Sequence, residues 1–159
     1  GNALSSFSAQ NIGAAKIDRV RKGFRAGTML AWIIAVPFFV LFFFFGNEML
    51  RIFMENPTGG AMKAGMAFLQ IVSPFYFIIS LKLLADGLLR GSSAMIGFMV
   101  STFTDLILRV ILAYVFAGLF GSTGIWMSWP VGWSISAIIS LLFYRYTWKQ
   151  LSVERRLIK

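Results

Sequence analysis

Long apolar blocks constrain the fold of this chain more than any other feature. Four of them reach the length of about 20 residues that a helix needs to cross a hydrocarbon core of roughly 30 Å. Glycine, proline and small polar residues separate them. The 159-residue chain is 58% hydrophobic and contains 17 Phe, a composition far from the average of water-soluble domains. We therefore predict an all-α fold, a polytopic transmembrane helical bundle. The predicted spans are 26–46, 64–89, 94–118 and 123–144.

Two shorter segments precede the first span. Residues 1–12 read as the end of a helix whose start lies upstream, so we expect the chain to be a fragment of a longer protein. Residues 14–25 place Ile17, Val20 and Phe24 at spacings of three and four among basic residues. That pattern predicts a short amphipathic connector lying on the cytoplasmic surface of the membrane.

The basic residues predict the orientation of the spans. Five lie before the first span, one lies between the second and third, and five lie in the predicted tail at 145–159. The other two loops hold only Arg51 and Lys63. Because cytoplasmic loops collect Lys and Arg, we expect a multi-pass protein of a bacterial-type plasma membrane with both ends of the chain in the cytoplasm. This placement accounts for the net charge of +9 without a nucleic-acid partner.

The amino-acid composition also argues against catalysis. The chain contains neither His nor Cys, which removes the commonest metal ligand, the commonest base at neutral pH and all thiolate chemistry. Its few acids are not clustered in sequence. We expect neither an enzyme nor a metal site.

Asp105 and Arg109 lie near the middle of the third span, where each charge costs on the order of 3 kcal/mol. Ser101 and Thr102 share their side of the helix, within an arc of roughly 100° at 3.6 residues per turn. Two interpretations stay open: the pair only fixes helix packing, or it lines a transport pathway, where it binds substrate or coupling ion or acts as a gate. Since an arginine stabilises the charged form of a neighbouring carboxylate, the pair suits gating better than carrying a proton unaided.

The second span contains another pair with the same spacing, Lys82 and Asp86, closer to its cytoplasmic end. The lysine stem is long enough to extend its ammonium group toward the membrane surface, which favours a pair at the edge of a cavity. Lys82 also has the depth to reach Asp105 on the neighbouring span, and the sequence does not choose between these partners. Tyr76, beside Pro74, either faces a cavity or packs against another helix.

Three tryptophans, Trp126, Trp129 and Trp133, occupy the outer half of the last span. They fit an interfacial aromatic belt. They also fit an aromatic surface for a flat organic cation.

The motifs of this chain resemble those of the multidrug and toxic compound extrusion (MATE) family of antiporters. The stretch "AQNIGAAKIDRVRKG" at 9–23 is similar to the family segment that closes the second helix of each half. The stretch "ADGLLRGSS" at 85–93 looks like the family segment after the tenth helix, and "GIWMSWPVGW" at 124–133 looks like the start of the last helix.

The resemblance implies a twelve-helix, two-lobe transporter in which the four spans are helices nine to twelve. It also implies a secondary active antiporter that exports organic cations or amphiphilic drugs by alternating access. The implied partners are small-molecule substrates, the lipid bilayer and the missing N-terminal lobe, and no cofactor is implied beyond a coupling ion, H⁺ or Na⁺. A lipid or oligosaccharide flippase of the same superfamily and a non-transporting membrane assembly subunit remain alternatives.

Two departures from the family pattern concern acidic residues. After Gly91 the sequence continues "SSAM", without the acid that is common there. No acid lies between Lys63 and Lys82, where some members place a cation-binding acid. The sodium-site pattern of those members is therefore not supported.

Overall fold

The computed structural model describes residues 1–53 and 59–157, with side chains up to Val153. Over this part of the chain the fold is all-helical, and four helical stretches are long and apolar enough to cross a membrane: Ile17–Phe44, Gly59–Gly91, Met95–Phe120 and Ser122–Val153. The predicted polytopic helical bundle is confirmed. The helices are α1 (Asn2–Gly13), α2 (Ile17–Phe44), α3 (Gly46–Phe53), α4 (Gly59–Val72), α5 (Tyr76–Gly91), α6 (Met95–Phe120) and α7 (Ser122–Leu157).

The basic connector predicted at 14–25 is not a separate surface helix. α2 begins at Ile17 and continues into the first span without a break. Val20 and Phe24 are buried in a cluster with Leu84 and Leu88 of α5. The apolar side of this segment therefore packs against protein, as part of the same helix that forms the first span.

A short 3₁₀ turn, Ser73–Phe75, separates α4 from α5 within the second membrane-spanning stretch. Pro74 lies in this turn and has no backbone N–H to continue the helical hydrogen-bond ladder. The predicted span at 64–89 is thus two helices joined at a break. Pro37 and Pro130, in contrast, lie inside continuous helices.

The last helix extends beyond its predicted end. α7 continues from the membrane through Leu157, so most of the tail predicted at 145–159 belongs to the same helix, and residues 158–159 lie outside the described residues. No glycine or proline occurs between Trp133 and Lys159 to end a helix there.

Small residues bring α6 and α7 together. Buried positions recur at every fourth residue of α7, and this spacing lets two helix backbones approach closely in a membrane. On α6, Gly97, Ser101 and Asp105 are buried at the same spacing. The positions on α7 are Gly124, Ser128, Gly132, Ser136 and Ser140.

Candidate functional site

Asp105 and Arg109 meet on the side of α6 that faces α7. Arg109 Nη2 donates a hydrogen bond to Asp105 Oδ2 at 2.5 Å, as a spacing of four residues allows. The Asp105 side chain is 11% exposed, whereas the arginine side chain keeps 28% of its surface exposed. The two opposite charges thus form one compact ion pair within a membrane-spanning helix.

The guanidinium of Arg109 also lies over an aromatic ring. Its Cζ atom is 4.9 Å from the centre of the Trp129 ring, a cation–π arrangement that contributes about 0.5–1 kcal/mol at exposed sites and about 2 kcal/mol where water is excluded. Trp129 packs edge-on against Trp133, with ring centres 5.7 Å apart. Phe68 of α4 contacts both Trp129 and Trp126 edge-on, at 6.2 and 5.1 Å.

The tryptophans pack inward rather than in a row against lipid. Trp133 is buried, and Trp126 and Trp129 are half-buried, with Phe68 of α4 against both and Arg109 of α6 against Trp129. This packing favours the aromatic-surface interpretation over the interfacial belt. The cation that occupies the surface is Arg109, a residue of the chain itself.

The second carboxylate oxygen of Asp105 points at the backbone of α7. A Cβ atom added to Gly132 would lie 2.9 Å from Asp105 Oδ1, which is too close for a carbon–oxygen contact. This oxygen is buried and accepts no hydrogen bond from the described residues. The absence of a side chain at Gly132 is what allows Asp105 to occupy this position.

The other charged pair is more deeply buried. Lys82 Nζ donates to Asp86 Oδ2 at 2.6 Å, and the two residues are 4% and 3% exposed. The ammonium group of Lys82 is thus held at Asp86 inside the bundle rather than extended toward the membrane surface. Of the two partners that the sequence left open, Asp86 and Asp105, the structure pairs Lys82 with Asp86.

Two serines connect this pair to α6 and α7. Ser140 Oγ lies 2.5 Å from Asp86 Oδ1 and 2.5 Å from Ser101 Oγ, and Ser101 Oγ is 3.1 Å from the Ser136 carbonyl oxygen. A hydroxyl has one hydrogen to donate, so with Ser140 donating to the carboxylate, Ser101 donates its hydrogen either to Ser140 or to the Ser136 carbonyl oxygen. We name Lys82, Asp86, Ser140 and Ser101 the three-helix network, because it joins α5, α7 and α6.

Two predicted site residues lie apart from both pairs. Thr102 is on the exposed side of α6, so the polar arc that faces protein is narrower than predicted. Tyr76 is half-buried and packs edge-on against Phe42, with ring centres 6.0 Å apart. Among the described residues, no hydrogen bond joins either one to the charged pairs.

The sequence interpretation missed Ser136 and Ser140. Their signal is the four-residue repeat of small residues in α7, which indicates a close helix contact. Such a repeat marks a contact surface, but it does not show which helix lies opposite. Only the packing of α5, α6 and α7 reveals that Ser140 faces a buried carboxylate.

The acidic side chains of the charged pairs each face a cation of the chain. Among the side chains described, those of residues 1–53 and 59–153, no group of three acids converges on one point.

Comparison with known proteins places these features in a family. A model of the MatE family matches residues 1–115. Two curated proteins of Bacillus subtilis (strain 168) align over 158 residues: the probable multidrug resistance protein YoeA, 24% identical over 98% of this chain and 34% of its own length, and the probable multidrug resistance protein YpnP, 28% identical over 96% and 34%. The chain thus spans about a third of the length of these relatives. No solved structure shows significant similarity to it. Because the family model covers most of the chain, from α1 through both charged pairs, this chain belongs to the MatE family, the MATE proteins whose motifs its sequence resembles.

Proposed function

We propose that this chain is the C-terminal part of a secondary active exporter, which exchanges organic cations or other amphiphilic compounds for H⁺ or Na⁺ by alternating access. Membership of the MatE family supports this function. So does the similarity to two proteins named as probable multidrug resistance proteins. The helices described here would form most of one lobe, and an upstream lobe would complete the pathway.

The observation that carries the proposal is the Asp105–Arg109 pair over Trp129. A carboxylate beside a tryptophan face offers an organic cation both charge and π-electron attraction. Arg109 now takes both interactions. In the proposed cycle Arg109 acts as a gate: a cationic substrate displaces its guanidinium, and the arginine returns when the substrate leaves.

The same geometry limits access to Asp105. The Arg109 guanidinium occupies Asp105 Oδ2, so another cation reaches this oxygen only after Arg109 moves away. Substrate entry and binding of a coupling cation at Asp105 would then depend on the same movement.

The three-helix network supports a second, structural role for buried charge. Lys82 and both oxygens of Asp86 have partners within the bundle. A network that satisfies its polar groups makes helices specific for one another, which is what an assembly subunit needs. For this reason a non-transporting membrane assembly subunit remains the second candidate function.

Asp105→Asn in the full-length protein separates the two functions. We expect normal abundance in the membrane, because asparagine keeps the shape of the side chain, but efflux of a fluorescent organic cation lower by roughly tenfold or more. A charge-assisted hydrogen bond contributes about 1.5–3 kcal/mol, and 1.4 kcal/mol corresponds to a factor of ten. Efflux from inverted membrane vesicles, divided by the amount of protein, gives the measurement.

Asp86→Asn is the matched control. It leaves the ammonium of Lys82 buried without a counter-charge, which costs about 3–5 kcal/mol, so we expect a loss of protein from the membrane. If Asp105→Asn instead lowers abundance and efflux in equal proportion, both pairs only hold helices together and the transport role of Asp105 is excluded. Imposing sodium and proton gradients separately on wild-type vesicles identifies the coupling ion.

A further inference from the structure

A groove runs along α2 and α5, and none of the four residues of the charged pairs lines it. Its volume of about 570 Å³ lies within the range of ligand sites, about 300–1,000 Å³. We name it the α2–α5 groove. Its lining includes Arg25, Thr28, Trp32 and Val36 of α2 and Phe77 and Leu81 of α5.

The length of the groove matches one leaflet of a membrane. Arg25 and Val36 are eleven residues apart on α2, about 17 Å at a helical rise of 1.5 Å per residue. One leaflet contributes about half of a hydrocarbon core of roughly 30 Å. With the basic start of α2 at the cytoplasmic surface, as the loop charges indicate, the groove would extend through the inner leaflet.

The charge on the lining lies at the cytoplasmic end only. Arg25 is the sole charged residue among those that line the groove, and Arg21 precedes it by one helical turn on the same side of α2. Phe24 stacks on the Tyr144 ring with centres 4.7 Å apart, so α7 is held against this end of α2.

The walls of the groove are fixed by contacts between α2 and α5. Trp32 Nε1 donates a hydrogen bond to the Phe77 carbonyl oxygen at 3.3 Å, and the two rings meet edge-on at 6.3 Å. Beyond Arg25, the lining from Met29 to Val36 is almost wholly apolar and exposed. The α2–α5 groove is thus preformed and apolar, with a cationic end.

We propose that the α2–α5 groove binds an anionic glycerophospholipid of the cytoplasmic leaflet. The phosphate group lies at Arg25 and Arg21, and one acyl chain follows the groove toward Val36. Charge complementarity at one end and an apolar lining of one leaflet's depth argue for this occupant. The site is independent of the transport proposal.

Native mass spectrometry of the purified full-length protein tests the charge requirement. We expect the wild type to retain phosphatidylglycerol in preference to phosphatidylethanolamine. Arg25→Gln should weaken phosphatidylglycerol binding about fivefold, since a basic residue near an anionic surface contributes about 1 kcal/mol, and Arg25→Lys should keep most of it. Arg19→Gln removes the same charge from an exposed position on another side of α2 and should have no effect. Equal weakening by Arg25→Gln and Arg19→Gln would mean diffuse attraction to the membrane and would overturn the proposal.

Photo-crosslinking identifies what occupies the groove. A benzophenone amino acid at exposed Ile33, in the groove, is compared with one at exposed Val110 of α6, outside it, in membranes of mixed phosphatidylglycerol and phosphatidylethanolamine. We expect lipid adducts at both positions, with phosphatidylglycerol enriched only at Ile33. Crosslinks from Ile33 to an upstream segment of the same chain, or to a second copy, would show that protein covers the groove and would exclude the lipid site.

Discussion

Asp105 depends on the residue opposite it as much as on its ion-pair partner. Its Oδ1 atom lies against Gly132, where any side chain would collide with the carboxylate. Its Oδ2 atom accepts the hydrogen bond from Arg109. The position of the carboxylate is therefore set jointly by two helices, and a change on α7 alone should displace it.

Gly132→Ala tests this dependence. The added methyl group should push Asp105 or α7 aside and lower the free energy of unfolding by about 1–3 kcal/mol, the usual cost of overpacking. Gly118→Ala is the matched control, because nothing lies within 4 Å of its added Cβ atom and alanine favours a helix over glycine by about 0.5–1 kcal/mol. We expect a lower thermal midpoint only for Gly132→Ala in the detergent-solubilised full-length protein. Equal midpoints would show that the α6–α7 contact adapts without cost.

Sequence spacing predicts which residues pair along one helix, but not how deeply they are buried. The i,i+4 spacing correctly placed Arg109 beside Asp105 and Lys82 beside Asp86. It does not predict the burial of Lys82, because that burial depends on α7, which begins 40 residues later in the chain. Ser140 was missed for the same reason. A serine in a membrane helix gives no indication of its hydrogen-bond partner until the helix packed against it is known.

At the scale of whole helices, apolar length predicts membrane spans well and helix ends poorly. The four spans are confirmed as candidate membrane-spanning helices. The predicted boundary between connector and first span is absent, because Val20 and Phe24 extend the packed surface of α2 toward its start. The break at Ser73–Phe75 falls inside a span whose hydropathy hardly changes there, so only Pro74 hinted at it.

Ser140→Ala tests how α7 is joined to α5. Removing the hydroxyl leaves Asp86 Oδ1 buried without a donor, which should lower the free energy of unfolding by about 1–3 kcal/mol. Ser134→Ala is the control on the same helix, because Ser134 Oγ bonds only the Pro130 carbonyl one turn earlier, and such bonds add little to a helix. Thermal unfolding of the two full-length variants gives the comparison. A control that loses as much stability as Ser140→Ala would remove the case for the three-helix network.

At the scale of the molecule, the two basic segments of the chain are parts of long helices that continue into the membrane-spanning region. α2 begins in one basic segment and α7 carries the other, including Arg145 and Lys149. Phe24 and Tyr144 bring these two ends into contact. Both charged regions should therefore occupy the same side of the membrane.

Reporter fusions to the full-length protein test that orientation. We expect a fluorescent protein fused after Lys159 to fold and fluoresce in a bacterial host, and alkaline phosphatase at the same place to be inactive. Alkaline phosphatase inserted after Phe53 should be active, because the loop there is predicted to be outside. Activity of the phosphatase after Lys159 would reverse the orientation and would place the α2–α5 groove in the outer leaflet.

The position of Arg109 over Trp129 has a consequence for selectivity under the proposed function. Because Arg109 is attached to the chain beside Asp105 and Trp129, it competes with a substrate for them at an effective concentration on the order of millimolar or higher. Unlike a free ligand, it is neither diluted nor exported. Small, strongly hydrated cations, however abundant in the cell, gain too little from an indole ring to displace it. A flat, weakly hydrated cation gains enough. The protein would then select compounds by how well they compete with the Arg109 side chain for Asp105 and Trp129. Arg109→Lys replaces this competitor with a different cation, so it should change which compounds are exported.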